Sequence, residues 1–307
     1  MNPLTTSICA LFVGTGLAIA VDSLSLRERR LMQLPAVSMG LRGFRAGIVI
    51  LSTTLLFSLY YWASFRLQCL ETAEVRPSAA GLNWRLAYHL TLLGLLIVAT
   101  AIDFDCYTIP DEITVSGTLI GLLGACLIGE LQICHLWVDW SVAIPQLRGP
   151  LIPEWYDAHR IWHACAWSLA GIVAGAGLTQ IARLVSSRVL GQEAMGFGDV
   201  TLMGMIGSFI GWQAVTMVFL IAPMAGLTIG VLIRILTGKT YLPYGPWLSI
   251  AAAGVLFGWS HLWHQTRLIF SDWISVGMLC AVGGGGFVLL LVLLQLYKAI
   301  PTRGKGI

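Results

Sequence analysis

Leu86-Ala-Tyr-His-Leu-Thr-Leu-Leu-Gly-Leu-Leu-Ile-Val-Ala-Thr-Ala101 carries no charge, and it runs directly into Ile102-Asp-Phe-Asp-Cys-Tyr-Thr-Ile-Pro-Asp111. The first part is long and apolar enough to enter a bilayer; the second places three carboxylates against its end. Carboxylates at membrane depth cost several kcal/mol, so a chain keeps them there mainly where they work. The same pattern returns at Gly196-Phe197-Gly198-Asp199, again beside an apolar segment.

Composition agrees with a membrane class. Of 307 residues, 57% are apolar and 11% charged, against about 25% charged in an average soluble protein. Mean hydropathy is +0.81. So few charges do not cover a water-exposed surface, and the fold class is all-α, a polytopic membrane protein. The net charge of +3 is too small and scattered to imply nucleic acid as a partner. The lipid bilayer is the expected surrounding.

Spans are expected at 4–21, 46–65, 86–102, 113–129, 164–183, 200–217, 220–236, 246–262 and 273–297. The stretch 200–236 reads either as two spans broken near Ala222-Pro223 or as one long kinked span, giving eight or nine. Asp22–Arg45 holds Arg27, Arg29, Arg30, Arg42 and Arg45, the densest basic cluster, and by the positive-inside rule faces the cytoplasm. That orientation puts twelve of the eighteen Lys and Arg inside. It also brings Asp103 and Asp199 to the same side, although neither entered the count. The start of the chain carries no Lys or Arg, so the first segment reads as an uncleaved span. The long polar stretches 66–85 and 130–163 are too small for independent domains, and residues 1–307 form one membrane-embedded domain.

Seven cysteines with no Cys-x-x-Cys argue against a zinc ribbon or a disulfide framework; Cys9, Cys126 and Cys280 read as small core residues. His135, His159, His163 and Cys165 have spacing that permits a metal, but they lie on the opposite side from the aspartates. No metal and no cofactor are expected. His89 stands about 21 Å from Asp103 along one helix, which suits a packing or hydrogen-bonding role. Trp155, Trp162, Trp167, Trp259 and Trp263 suit interfacial anchoring. Gly171-x-x-x-Gly175, Gly207-x-x-x-Gly211 and Gly283 to Gly286 are helix-packing glycines.

Gly196 and Gly198 would free the backbone and let another segment approach Asp199 closely. Two carboxylates brought together can divide labour, one as base and one as proton donor, the arrangement that activates water against an amide. Asp103 and Asp199 are the candidate catalytic pair. Asp111, after Pro110 and ahead of an apolar helix, reads as a cap. Asp105 is undecided, and Glu193 reads as a surface charge or a contact for a basic substrate segment.

Asp103-Phe-Asp-Cys-Tyr-Thr-Ile-Pro-Asp111 resembles the first motif of the type IV prepilin peptidases, an Asp followed at seven and eight residues by Pro-Asp. Glu193-Ala-Met-Gly-Phe-Gly-Asp199 resembles their second, Gly-x-Gly-Asp. Ile206-Gly-Ser-Phe-Ile-Gly-Trp-Gln213 and Leu242-Pro-Tyr-Gly-Pro246 resemble later segments, so the likeness covers residues 102–253. It implies a membrane aspartic endopeptidase of the bacterial plasma membrane. Such an enzyme cuts the basic leader from prepilins or pseudopilins at the cytoplasmic face, for type IV pili or type II secretion. By position, Asp103 and Asp199 match the catalytic pair, with Gly196, Gly198, Pro110 and Asp111 as supporting motif residues. Glu193 and Asp105 are candidate substrate contacts. Two departures stand out. Residues 22–45 hold no cysteine where many members carry a tetracysteine zinc module, so neither zinc nor methyltransfer is carried over. Thr201 stands where a Lys is frequent. Two alternatives remain: a presenilin-like intramembrane protease, and a proton-coupled secondary transporter with intramembrane carboxylates.

Overall fold

The computed structural model describes residues 3–35, 37–75, 77–138, 152, 154–193, 195–237 and 243–299, side chains excepted at 3–4, 154, 227–237, 293–294 and 296–299. Residues 139–151 and 153 of the expected 130–163 loop, and Leu242 of the late motif, lie outside the described residues. The described chain is helical: α1 (Pro3–Leu31), α2 (Met39–Arg66), α3 (Ala79–Cys106), α4 (Asp111–Ile128), the short α5 (Glu154–Ala158), α6 (Arg160–Leu190), α7 (Phe197–Thr237), α8 (Gly245–Phe270) and α9 (Trp273–Ala299). Among the described residues, α1, α2, α3, α4, α6, α7 and α9 are long and apolar enough to cross a membrane. This is a multi-pass helical membrane protein, as the composition requires.

Local sequence sets the helix ends. Ser38 and Ser78 cap α2 and α3, each hydroxyl accepting from the N–H three residues on, at 3.4 and 3.0 Å. Such caps satisfy donors that have no intrahelical partner. Tyr107, Gly129 and Gly191 end α3, α4 and α6 in the left-handed conformation.

Among the described residues the most extensive interface is between α6 and α7, and glycine makes it. A side-chain carbon on Gly171 would overlap the Gly207 carbonyl, and one on Gly207 would overlap that of Gly171. Backbones this close associate through direct packing, where lipid already satisfies apolar side chains.

α7 is not one straight rod. At 41 residues it would extend about 61 Å, twice a bilayer core of about 30 Å. Gly211, at φ +78° and ψ 173°, breaks it. A side-chain carbon on Gly175 would meet both the Met203 carbonyl and Val215 Cγ2, the latter at 3.0 Å. On a straight helix those residues stand about 18 Å apart, so the chain folds back at Gly211. The expected break near Ala222-Pro223 is therefore misplaced: Pro223 stays inside the helix. The turn sits at one end of the bundle, where Trp212 Nε1 donates to Leu136 O (2.7 Å) and Gln213 Nε2 to His135 O (2.8 Å). The second arm returns until Gly226 lies against Trp247, near the start of α8.

Several smaller expectations need correction. Cys126 is bonded to Cys165, joining α4 to α6, whereas Cys9 and Cys280 are exposed on the outside of the bundle. Trp167 and Trp259 are wholly buried and Trp263 nearly so; their indoles belong to the core, and Trp259 Nε1 donates to Ile133 O at 2.9 Å. Trp155 and Trp162 are exposed. His89, as expected, is bound within the helix layer, its Nδ1 2.8 Å from the Tyr60 hydroxyl.

Candidate active site

Asp103 lies in the last turn of α3, between the buried Ile102 and the exposed Phe104, and is itself buried. The helix stops four residues later because Tyr107 turns left-handed (φ +57°) and returns its N–H to Asp103 O at 2.9 Å. Ile109 and Pro110 are buried, and α4 then leaves in the opposite sense. Pro110 occupies the N-cap position with no side-chain hydrogen bond. Asp111 is therefore not the cap that its position implied. It is an exposed first-turn residue, beside Glu112, where a negative charge suits the helix dipole.

Asp199 sits in the first turn of α7, also buried. The two glycines before it differ in role. A side-chain carbon on Gly198 would stand 3.2 Å from Ile109 Cβ, so Gly198 is where the second motif packs on the first. Gly196 shows neither a positive φ nor a crowded Cβ position, its nearest neighbour being Asp199 Oδ2 at 3.8 Å. The Thr201 hydroxyl donates to Gly198 O at 3.0 Å.

The structure brings Asp103 and Asp199 together. The two buried carboxylates are near enough to interact electrostatically. A third segment completes the cluster: the Gly245 N–H donates to Asp103 Oδ2 at 3.0 Å, at the amino end of α8. A methyl group on Gly245 would stand 2.5 Å from that oxygen and 2.9 Å from Ile109 Cδ1. The preceding Tyr244 is near enough to Asp199 that this carboxylate adds to burial in raising its phenol above the ordinary range. In sequence Tyr244 and Gly245 stand out only as part of a motif, and nothing local ties Gly245 to an aspartate 142 residues away. The signal that was present is Pro-Tyr-Gly-Pro: a glycine with Pro246 in the first turn marks a helix start, and helix starts attract carboxylates.

Asp105 and Glu193 do not join the pair. Asp105 points to the other side of α3, where Arg29, Arg45 and Ser25 occupy its oxygens. Glu193 is exposed and pairs with Arg183 at 3.0 Å. Among the described residues no group of three or more His, Cys, Asp or Glu is arranged to hold a metal ion. His135 and His163 do approach, with ring centroids 5.5 Å apart. They serve the loop: His163 Nε2 accepts from Leu136 N–H at 3.2 Å, and His135 Nε2 meets Glu74 O at 3.1 Å. That loop lies at the far end of the bundle, where a cleft of about 920 Å³ is lined by Glu71, Glu74 and His264 among others.

The fold and site thus define a polytopic helical membrane protein holding two buried aspartates from separate motifs at one end of its bundle. Residues 156–231 match the type IV leader peptidase family. The matched stretch contains Asp199; Asp103 lies before it. The chain is 32% identical over 165 residues to a prepilin leader peptidase/N-methyltransferase of Dickeya chrysanthemi, covering 47% of this chain and 58% of that protein. It is 30% identical over 188 residues to one of Pectobacterium carotovorum subsp. carotovorum, covering 59% and 54%. A type 4 prepilin-like proteins leader peptide-processing enzyme of Escherichia coli O78:H11 is 31% identical over 175 residues, 57% of this chain and 52% of that one. The chain spans somewhat more than half the length of these relatives. No solved structure matches it.

Proposed function

We propose that this chain is a membrane aspartic endopeptidase that removes the leader peptide of type IV prepilins or type II secretion pseudopilins, with Asp103 and Asp199 as its catalytic pair. The observation that carries the reading is the meeting of two motif aspartates, 96 positions apart in sequence, as buried carboxylates beside the Gly245 N–H. One carboxylate, ionised, takes a proton from a water molecule as its oxygen attacks the scissile carbonyl carbon. The other, protonated, donates to the carbonyl oxygen. As the tetrahedral intermediate collapses, a proton passes to the leaving amine and the pair is restored. A coupled pair titrates as a unit, so the two roles belong to the pair.

Placement suits such a substrate. The pair lies at the end of the bundle that carries Arg27, Arg29, Arg42 and Arg45, which by charge is the cytoplasmic side of a bacterial plasma membrane. A leader cut just before an apolar stem would present its scissile bond at that depth. The catalytic region is residues 102–253, which contain Asp103, Asp199 and Gly245. The proposal concerns peptide cleavage alone; the methyltransferase in the relatives' names is not carried over. It is tested by co-expression with candidate prepilins and amino-terminal sequencing of the product. Cleavage at the junction of leader and stem is expected, and its absence with every prepilin and pseudopilin tried would refute it.

A further inference from the structure

α3 ends against its own electrostatics. The carboxyl end of a helix favours cations, yet its last turn carries Asp103 and Asp105 and no basic residue. The cations arrive from α1 and α2. Arg29 Nη2 donates to Asp105 Oδ1 at 2.9 Å and to the Asp105 carbonyl at 3.3 Å. That carbonyl is among the last four of α3, which have no partner inside the helix, so Arg29 closes the helix end as well as neutralising the side chain. Arg45 Nη1 and the Ser25 hydroxyl both reach Asp105 Oδ2. Arg45 Nη2 is held in turn by Asp22 Oδ1 at 2.6 Å, which Arg42 Nε also meets at 2.9 Å. Arg29, Arg45 and Asp105 are largely withdrawn from solvent, each side chain 16% exposed. On the other side of the motif, Arg27 pairs with Glu112 of α4 at 2.5 Å.

At about 100° per residue, Asp103 and Asp105 project from nearly opposite faces of the helix. The ion cluster therefore grips α3 from behind while Asp103 faces Asp199 and Gly245. Ser25 and Cys106 are both buried at this contact, Oγ and Sγ 3.9 Å apart.

We propose that Arg29 and Arg45 are positioning residues for Asp103: by clamping Asp105 they keep the last turn of α3 wound and its aspartate aimed at the pair. The basic residues at the end of α1 and the start of α2 are then a working part of the site as well as a topology signal. The positioning role rests on Asp103 being catalytic; the clamp itself does not.

The test uses the full chain in liposomes and two readouts. In Arg29→Ala, the buried Cys106 should be alkylated by N-ethylmaleimide several-fold faster than in the unaltered protein, measured by mass spectrometry. Prepilin cleavage should lose about tenfold or more in kcat, the scale expected of a misplaced catalytic group, with KM little changed. Adding Ser25→Cys and oxidising it onto Cys106 should restore kcat, and reductant should remove the gain; Ser25→Cys alone is the control. Unchanged labelling and rate in Arg29→Ala would overturn the proposal. So would a rise in KM alone, or a formed cross-link without recovery. Should the cross-link not form, the exchange Arg29→Asp with Asp105→Arg decides: recovery over either single variant supports the clamp, and none overturns it. The labelling needs no peptidase activity, so loss of the peptidase reading and loss of the clamp are told apart.

Discussion

Gly245→Ala is the most economical disturbance of the pair, because it alters neither carboxylate. The added methyl would lie 2.5 Å from Asp103 Oδ2 and 2.9 Å from Ile109 Cδ1, about 1 Å inside an ordinary contact distance. Ile109 is buried and packs on Gly198, so relief by moving it would disturb the Asp199 side as well. The easier response is displacement of α8's first turn or of the Asp103 carboxylate. Either lengthens the 3.0 Å bond from the Gly245 N–H. A hydrogen bond to a charged group is worth about 1.5–3 kcal/mol, or roughly 10- to 150-fold in rate if it is lost in the transition state. A misplacement near 1 Å has itself a cost on the order of 10²-fold. Cleavage of a purified prepilin in proteoliposomes should therefore slow by roughly 10²-fold, with insertion and thermal unfolding little altered. A variant within about twofold of the unaltered rate would refute the placing of the α8 amino end in the site.

Gly211→Ala forces a side chain into a left-handed position and onto Trp167. It should lower stability by at least about 1–2 kcal/mol, read as a fall in Tm in detergent. Burial pushes the Glu74 carboxyl above its ordinary value. The folded state then holds the proton more tightly than the unfolded state, so this group's contribution to stability declines as pH rises from the ordinary value through the raised one. Glu74→Gln should flatten the dependence of Tm on pH across that window; an unchanged slope would contradict it. Glu193→Gln removes an exposed pair with Arg183 and should change stability by less than about 1 kcal/mol, checked in the same unfolding assay.

Fold class and the two acidic motifs are legible in the chain because both lie in local runs: apolar stretches of bilayer length, with carboxylates at their ends. What the runs do not carry is where segments meet. Gly211 stands in an unbroken apolar stretch, so hydropathy shows no turn there, and Pro223, the stronger one-dimensional signal, is absorbed by the helix. Asp105 resembles Asp103 in sequence, and only the arrival of Arg29 and Arg45, 76 and 60 residues distant, separates their roles. Cys126 reads as packing in an apolar run, and Cys165 as a neighbour of His159 and His163, until α4 and α6 are placed side by side. Asp111 misled for a smaller reason: proline takes the cap position, and the carboxylate moves one residue into the helix.

The most direct test of the central claim compares Asp103→Asn, Asp199→Asn and the double variant in one prepilin-cleavage assay, with membrane insertion verified for each. Residues that act as a unit lose activity together, so each single variant should be as inactive as the double. Cleavage by either single variant at the unaltered rate, with the product's amino terminus unchanged, would contradict it.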